Sequence, residues 1–223
     1  MNRRPLVFVG AGLAACVLLG GTLGAAASLQ LSPLSLTVYA AASTVPPSSC
    51  TLTASADSYV DGAVLSSGSN FGTATTLTVR SDVLGNRRTF VRFDLSACPS
   101  FGNARVTDAS LRLYLSTAPS SGRTYDLHGI TATWTETGIT SSNQPGTAAT
   151  ATASVATGAV SAVTLSWPVT ADVQSFVDGT ATNFGWRIRD ATEGSLTARS
   201  GTFSSRENGT AAQRPSLVVT YYP

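Results

Sequence analysis

Apolar and polar residues alternate with a period of two through much of this chain, the spacing of a half-buried β-strand. The cleanest case is Leu111-Arg112-Leu113-Tyr114-Leu115, with leucines on one face and Arg112 and Tyr114 on the other. Residues 89–95 repeat it. Val91, Phe93 and Leu95 share one face, and Phe90, Arg92 and Asp94 share the opposite one. Near the C-terminus Trp186 and Ile188 alternate with Arg187 and Arg189, and further strand-like runs follow at 202–207 and 214–222. Strands are also expected at 52–60, 76–80, 126–134 and 163–169, with Gly- and Ser-rich turns between several of them. Residues 148–158, almost all Ala and Thr, suit a long surface loop or a weak edge strand.

The period changes to a helical one only at 170–177. There Val173, Phe176 and Val177 fall on one face, Thr170 is placed to cap the start, and Asp178-Gly179 ends the run. Many short strands with one short helix predict an all-β domain, a two-sheet jelly-roll sandwich.

The N-terminus reads as a targeting segment. Asn2-Arg3-Arg4 supplies a positive start, residues 6–21 are almost unbroken apolar, and small residues follow at 25–27 and 40–42. The expected organisation is an export signal at 1–42, cleaved near 27 or 42, a Ser/Pro linker at 43–50, and one domain at 51–222. The apolar run approaches the length of a membrane span, but its glycines and small-residue exit favour cleavage. Leu13-Ala14-Ala15-Cys16 resembles a lipidation site, yet the run continues through Val17-Leu18-Leu19, which argues against one. The mature protein is therefore expected outside the cell. Removing the signal leaves about 175 residues, enough for one domain with a real core, and leaves Cys50 and Cys98. Two cysteines in an exported chain predict one disulfide, worth about 4 kcal/mol in the chain-entropy model.

All fourteen basic residues are arginines, which removes Schiff-base chemistry, lysine nucleophiles and lysine isopeptide crosslinks. A formal charge of +2 gives no electrostatic case for nucleic acid.

Several stretches, in order, carry a family resemblance. They are Ala56-Asp57-Ser58-Tyr59-Val60, Asn70-Phe71-Gly72, the run from Asn86 through Arg92-Phe93-Asp94-Leu95, and Ala109-Ser110-Leu111-Arg112-Leu113-Tyr114-Leu115. Thr133-Trp134-Thr135-Glu136, Asn143-Gln144-Pro145, the run from Trp167 to Val173 and the C-terminal forty residues complete them. On these pieces the chain resembles the secreted DNRLRE-type domains, classed with carbohydrate-binding modules. The resemblance implies a β-jelly roll that binds polysaccharide, often beside a separate catalytic domain. One departure stands out, because Ser141 and Ser142 occupy the place where relatives commonly carry Trp-Asn before Asn-Gln-Pro. If that tryptophan is a sugar platform in relatives, the contact is missing here.

Arg92, Arg112, Arg187 and Arg189 all point away from the apolar faces of their strands. If those strands are neighbours, the guanidiniums form a ridge able to pair with the carboxylates of an acidic polysaccharide. The competing expectation is internal pairing with Asp94, Asp108, Asp190 and Glu207. Tyr114 is the favoured aromatic platform, since Trp134 and Trp186 suit the core. His128, the only histidine, cannot build a His-rich zinc site, and no Gly-x-Ser-x-Gly elbow accompanies it. It is expected to bond locally with Asp126. Glu136, Glu193 and Glu207 have no spacing that marks a glycosidase pair, and Glu207 is expected to pair with Arg206. A structural calcium would take Asp57 and Asp61, but no loop motif supports it, so no cofactor is expected. Asn208-Gly209-Thr210 fits a glycosylation sequon and equally an Asn-Gly turn. The expectation is a non-catalytic module that binds polysaccharide, acidic glycans included. The alternatives are a structural surface or matrix domain that binds protein, and, behind it, a small lyase or hydrolase built on a Tyr/His/Arg cluster.

Overall fold

The computed structural model describes residues 46–223 of the protein, and the expected export segment at 1–42 lies outside them. The described chain is mostly β. In order it forms β1 (Ser48–Asp61), β2 (Thr76–Ser81), β3 (Arg87–Phe93), β4 (Arg105–Thr117), β5 (Thr124–Gly129), β6 (Ala153–Ala156), β7 (Val163–Pro168), α1 (Thr170–Val177), β8 (Trp186–Asp190), β9 (Arg199–Ser204) and β10 (Ser216–Tyr222).

The sheet closes on itself. Hydrogen bonding runs β1–β10–β4–β9–β2–β3 and returns from β3 to β1, while β8, β5 and β6 extend from β3 and β7 flanks β4. Long β1 makes closure possible, since Ser48 to Thr53 pair with β10 and Ala54 to Asp61 pair with β3. A register shift between Ala54 and Ala56 marks the change of partner, as a bulge bends a strand and re-aims it.

The leucine alternation predicted for β4 holds, and Leu111, Leu113 and Leu115 are all fully buried. They pack in one main core with Trp167, Trp186 and Phe203. Fully burying such a side chain is worth about 1.5–3 kcal/mol. A second, smaller cluster lies on the outer face of β1 and β3, where Ala56, Val60 and Phe90 meet Ile130, Trp134 and Ile139. The expected strand at 126–134 therefore stops at Gly129, and after a single bridge, Ile130 to Thr147, the chain folds back over β3. Phe90 looks outward by alternation but is buried because this loop covers it.

Other boundaries shift for local reasons. β1 begins at Ser48, within the expected linker. Leu95 opens a 3-10 turn rather than ending β3, and Asp94 caps that turn by accepting from the Ser96 amide at 3.0 Å. Thr170 is the first residue of α1, not its cap, and its hydroxyl accepts the Ala109 amide at 2.9 Å. The Ala/Thr-rich stretch yields β6, an edge strand. Cys50 and Cys98 form the expected disulfide, tying β1 to the segment after the 3-10 turn with Cα atoms 5.7 Å apart.

Candidate binding face

The outer face of β3, β8 and β5 is built by register. Phe90 pairs with Arg187, and Arg187 pairs with His128, so these three form one row across the sheet. Two residues along, Arg189 pairs with Asp126, and continuing the β3–β8 register brings Arg88 level with Arg189. Side chains two apart on a strand share a face, so Arg88, Arg187, Arg189, His128 and Asp126 all project outward together. The tight approach of β8 to β3 begins at Gly185, whose φ of +82° only glycine adopts easily and whose missing Cβ leaves room for the Val91 carbonyl.

Most charges here are matched. Arg88 makes a two-pronged pair with Glu193, both bonds at 2.7 Å, and donates to the Gln144 Oε1 at 3.1 Å. Arg189 donates from Nε to the His128 Nε2 at 3.2 Å and reaches Asp126 at 3.5 Å and Glu193 at 4.0 Å. His128 and Asp126 are thus joined through Arg189, not by the direct bond expected. The other imidazole nitrogen lies 2.9 Å from the Ala148 carbonyl.

Arg187 is the exception. Its Nε is buried and meets no acceptor. Burial first, then the like charge of Arg88, offset in part by Glu193, and last that of Arg189, pull its pKa down to about 10. At neutral pH it stays a cation, half-buried among other cations.

Beside Arg88 a groove of about 510 Å³ opens between the loops, lined among others by Asn86, Arg88, Ser141, Gln144, Val64 and Leu84. Ser141, one of the two serines that replace the relatives' Trp-Asn, sits on this wall. Ser142 turns away and bonds the Ser67 carbonyl at 3.0 Å.

The remaining expected site residues are dispersed. Arg92 shares the outer face of β3, but its guanidinium lies 5.5 Å from the centre of the Trp134 ring, and it lines a separate shallow pocket with Ser55 and Asn183. Arg112 and Tyr114 lie on β4, whose neighbours are β7, β10 and β9, and line their own groove of about 160 Å³ with Thr164 and Arg214. They do not join the β3–β8–β5 face, so the single four-arginine ridge does not form. Tyr114 and His128 sit on these two separate faces and build no Tyr/His/Arg cluster. The internal pairs differ from those expected, because alternation sends Asp190 inward, to a bidentate pair with Arg123 at 2.7 Å. Glu207 does approach Arg206, at 3.5 Å. Trp134 and Trp186 are core residues, 5 % and 0 % exposed. Asp57 and Asp61 do not share a site, since Asp61 is taken by Arg80 at 3.1 Å and Arg87 at 2.8 Å.

Sequence reasoning did not single out Arg88 or Gln144, and weighed Glu193 only as a hydrolytic carboxylate. For Arg88 the signal was present, as it precedes Phe90 and Arg92 at the same two-residue spacing.

The family model for carbohydrate-binding module family 96 matches residues 48–221, nearly the whole described domain. The chain belongs to carbohydrate-binding module family 96. The resemblance to secreted DNRLRE-type domains is consistent with that membership. No curated protein matches the sequence. As a family 96 module, the protein falls in a carbohydrate-binding class. Among the described residues no helix is long and apolar enough to cross a membrane.

Proposed function

We propose that the protein is a secreted, non-catalytic polysaccharide-binding module, a jelly roll in which the outer face of β3, β8 and β5 holds an acidic glycan. Family 96 membership supports carbohydrate as the ligand. The observation that carries the anionic part is Arg187, a half-buried guanidinium whose Nε has no acceptor while Glu193 and Asp126 are occupied by Arg88 and Arg189. A uronate carboxylate is planar and accepts two parallel hydrogen bonds, which matches a guanidinium fork. Gln144 and Ser141 in the adjoining groove supply neutral partners for sugar hydroxyls. The reaction is equilibrium binding, and a rigid sheet limits its entropic cost.

Affinity electrophoresis in gels containing alginate, polygalacturonate or a neutral β-glucan tests this reading. Retardation is expected in the two polyuronates, and Arg187→Gln relieves it. Free migration in both polyuronates, with no signal on a glycan array, overturns it. The second reading, a matrix domain that binds protein, draws on the exposed loop residues Val64, Leu65 and Leu84, 87 %, 98 % and 77 % accessible. It predicts no retardation in any glycan.

A further inference from the structure

We propose that His128 is a proton-controlled latch on Arg189, holding its Nε–H while neutral and releasing it to a glycan carboxylate when protonated. The latch stands on contacts within the free protein, and its effect on binding rests on the polyuronate reading above.

The tautomer follows from the partners. A carbonyl oxygen only accepts and a guanidinium only donates. The Ala148 carbonyl, 2.9 Å from Nδ1, therefore takes the N–H of the neutral ring. Nε2 is left as the lone pair that accepts from the Arg189 Nε at 3.2 Å. Ala148 is itself held by its amide, which donates to the Gly129 carbonyl at 2.8 Å. His128 is 3 % exposed, so both ring nitrogens depend on these protein partners.

A second proton has one place to go. It lands on Nε2 and sets two donors against each other, which breaks the bond to Arg189. Arg189 keeps only its looser contacts, Asp126 at 3.5 Å and Glu193 at 4.0 Å. Asp126 is engaged elsewhere, since its Oδ1 accepts from the Ser154 hydroxyl at 2.6 Å and its Oδ2 faces Arg189. The charged groups around the ring are Arg187 and Arg189 from β8, Arg88 from β3, Glu193 beyond β8, and Asp126 on β5 itself. Three guanidiniums against two carboxylates leave a surplus of one positive charge, and an imidazolium makes it two. A carboxylate bound on this face is attracted to the added charge and accepts the freed Nε–H. Binding and protonation therefore strengthen each other, as linkage requires. Affinity rises as the pH falls through the imidazole titration, down to about pH 4, where carboxylates themselves lose charge.

NMR of the tag-free protein tests this, because His128 is the only histidine. In the free protein at about pH 8 the imidazole nitrogens are expected to show the Nδ1–H tautomer. On acidification the Arg189 Nε–H signal, assigned by its loss in Arg189→Gln, moves with the same midpoint as the imidazole. Adding oligogalacturonate raises that midpoint, and affinity is about five- to tenfold higher at about pH 5 than at about pH 8. His128→Gln, which keeps a donor and an acceptor but no titrating ring, flattens this pH dependence. An Nε2–H tautomer, or an Arg189 signal that ignores the imidazole titration, overturns the latch even where polyuronate binds. An undiminished pH dependence in a folded His128→Gln moves the effect to Asp126 or Glu193 and overturns it as well. If His128→Gln fails to fold, the wild-type midpoint decides, and one that oligogalacturonate leaves unmoved overturns the coupling. Failure of polyuronate to bind at either pH sinks the glycan reading alone, and the free-protein signals then decide the latch.

Discussion

Arg187 occupies surroundings that disfavour its charge and receives little in return. Folding lowers its pKa, so the folded state is penalised at every pH below the folded value, neutral pH included. A shorter neutral amide side chain removes that penalty. Arg187→Gln is therefore expected to leave the Tm unchanged or slightly higher, while affinity for polyuronate falls about 10- to 100-fold, the loss of one or two charge-assisted hydrogen bonds. A melt and a binding isotherm on the same preparation check both halves. A drop in Tm with unchanged binding would make Arg187 a structural residue. Arg92 offers the converse case. Its guanidinium faces the Trp134 ring, so Arg92→Ala is expected to cost about 0.5–2 kcal/mol of stability and to leave polyuronate affinity within twofold.

The loop between β5 and β6 decides how much of the sheet's outer face is open. Trp134 anchors it, packing on Phe90 with ring centroids 5.9 Å apart and donating its indole N–H to the Phe184 carbonyl at 2.8 Å. Trp134→Ala is expected to cost about 3–5 kcal/mol, read as a lower denaturation midpoint. Gly72 is a second anchor, since a Cβ there runs into the Glu136 backbone carbonyl. Gly72→Ala is thus expected to loosen the same loop. None of this could be read from alternation. The period of two gave the strands, the inward leucines of β4 and the outward direction of Arg187 and Arg189, because those follow from backbone geometry alone. It carries no information on which strands become neighbours. Arg112 and Arg187 looked equivalent in sequence and lie on separate faces, since β4 and β8 share no edge. The loop has no period at all, so Phe90 read as an outward residue and the burial of the β3 outer face stayed hidden. Glu136 and Glu207 were likewise ordinary carboxylates until closure of the barrel brought them to Asp57.

At the scale of the molecule, closure of the sheet and the distribution of charge set how the binding face behaves. Ring closure through β1 places the disulfide at one end of that strand and the paired Arg88 region at the other. With its cysteines 48 positions apart in the chain the bridge is worth about 4 kcal/mol. Cys98→Ser is accordingly expected to lower the Tm by roughly 10 °C without changing polyuronate affinity below the melt. Charge behaves just as locally. The whole chain carries +2, and Arg3 and Arg4 lie in the expected export segment, so the remaining basic and acidic residues balance. Such a molecule has no long-range field with which to gather polyanions, so the proposed attraction acts by contact at the arginine face. Exposed pairs weaken as the screening length shrinks from about 8 Å at physiological salt to about 3 Å at 1 M, whereas a half-buried guanidinium is screened much less. Retardation in alginate gels is therefore expected to persist at 0.3 M NaCl and to vanish in Arg187→Gln at any salt. A wild-type retardation that disappears by 0.3 M NaCl would place the attraction on scattered surface arginines instead of on Arg187.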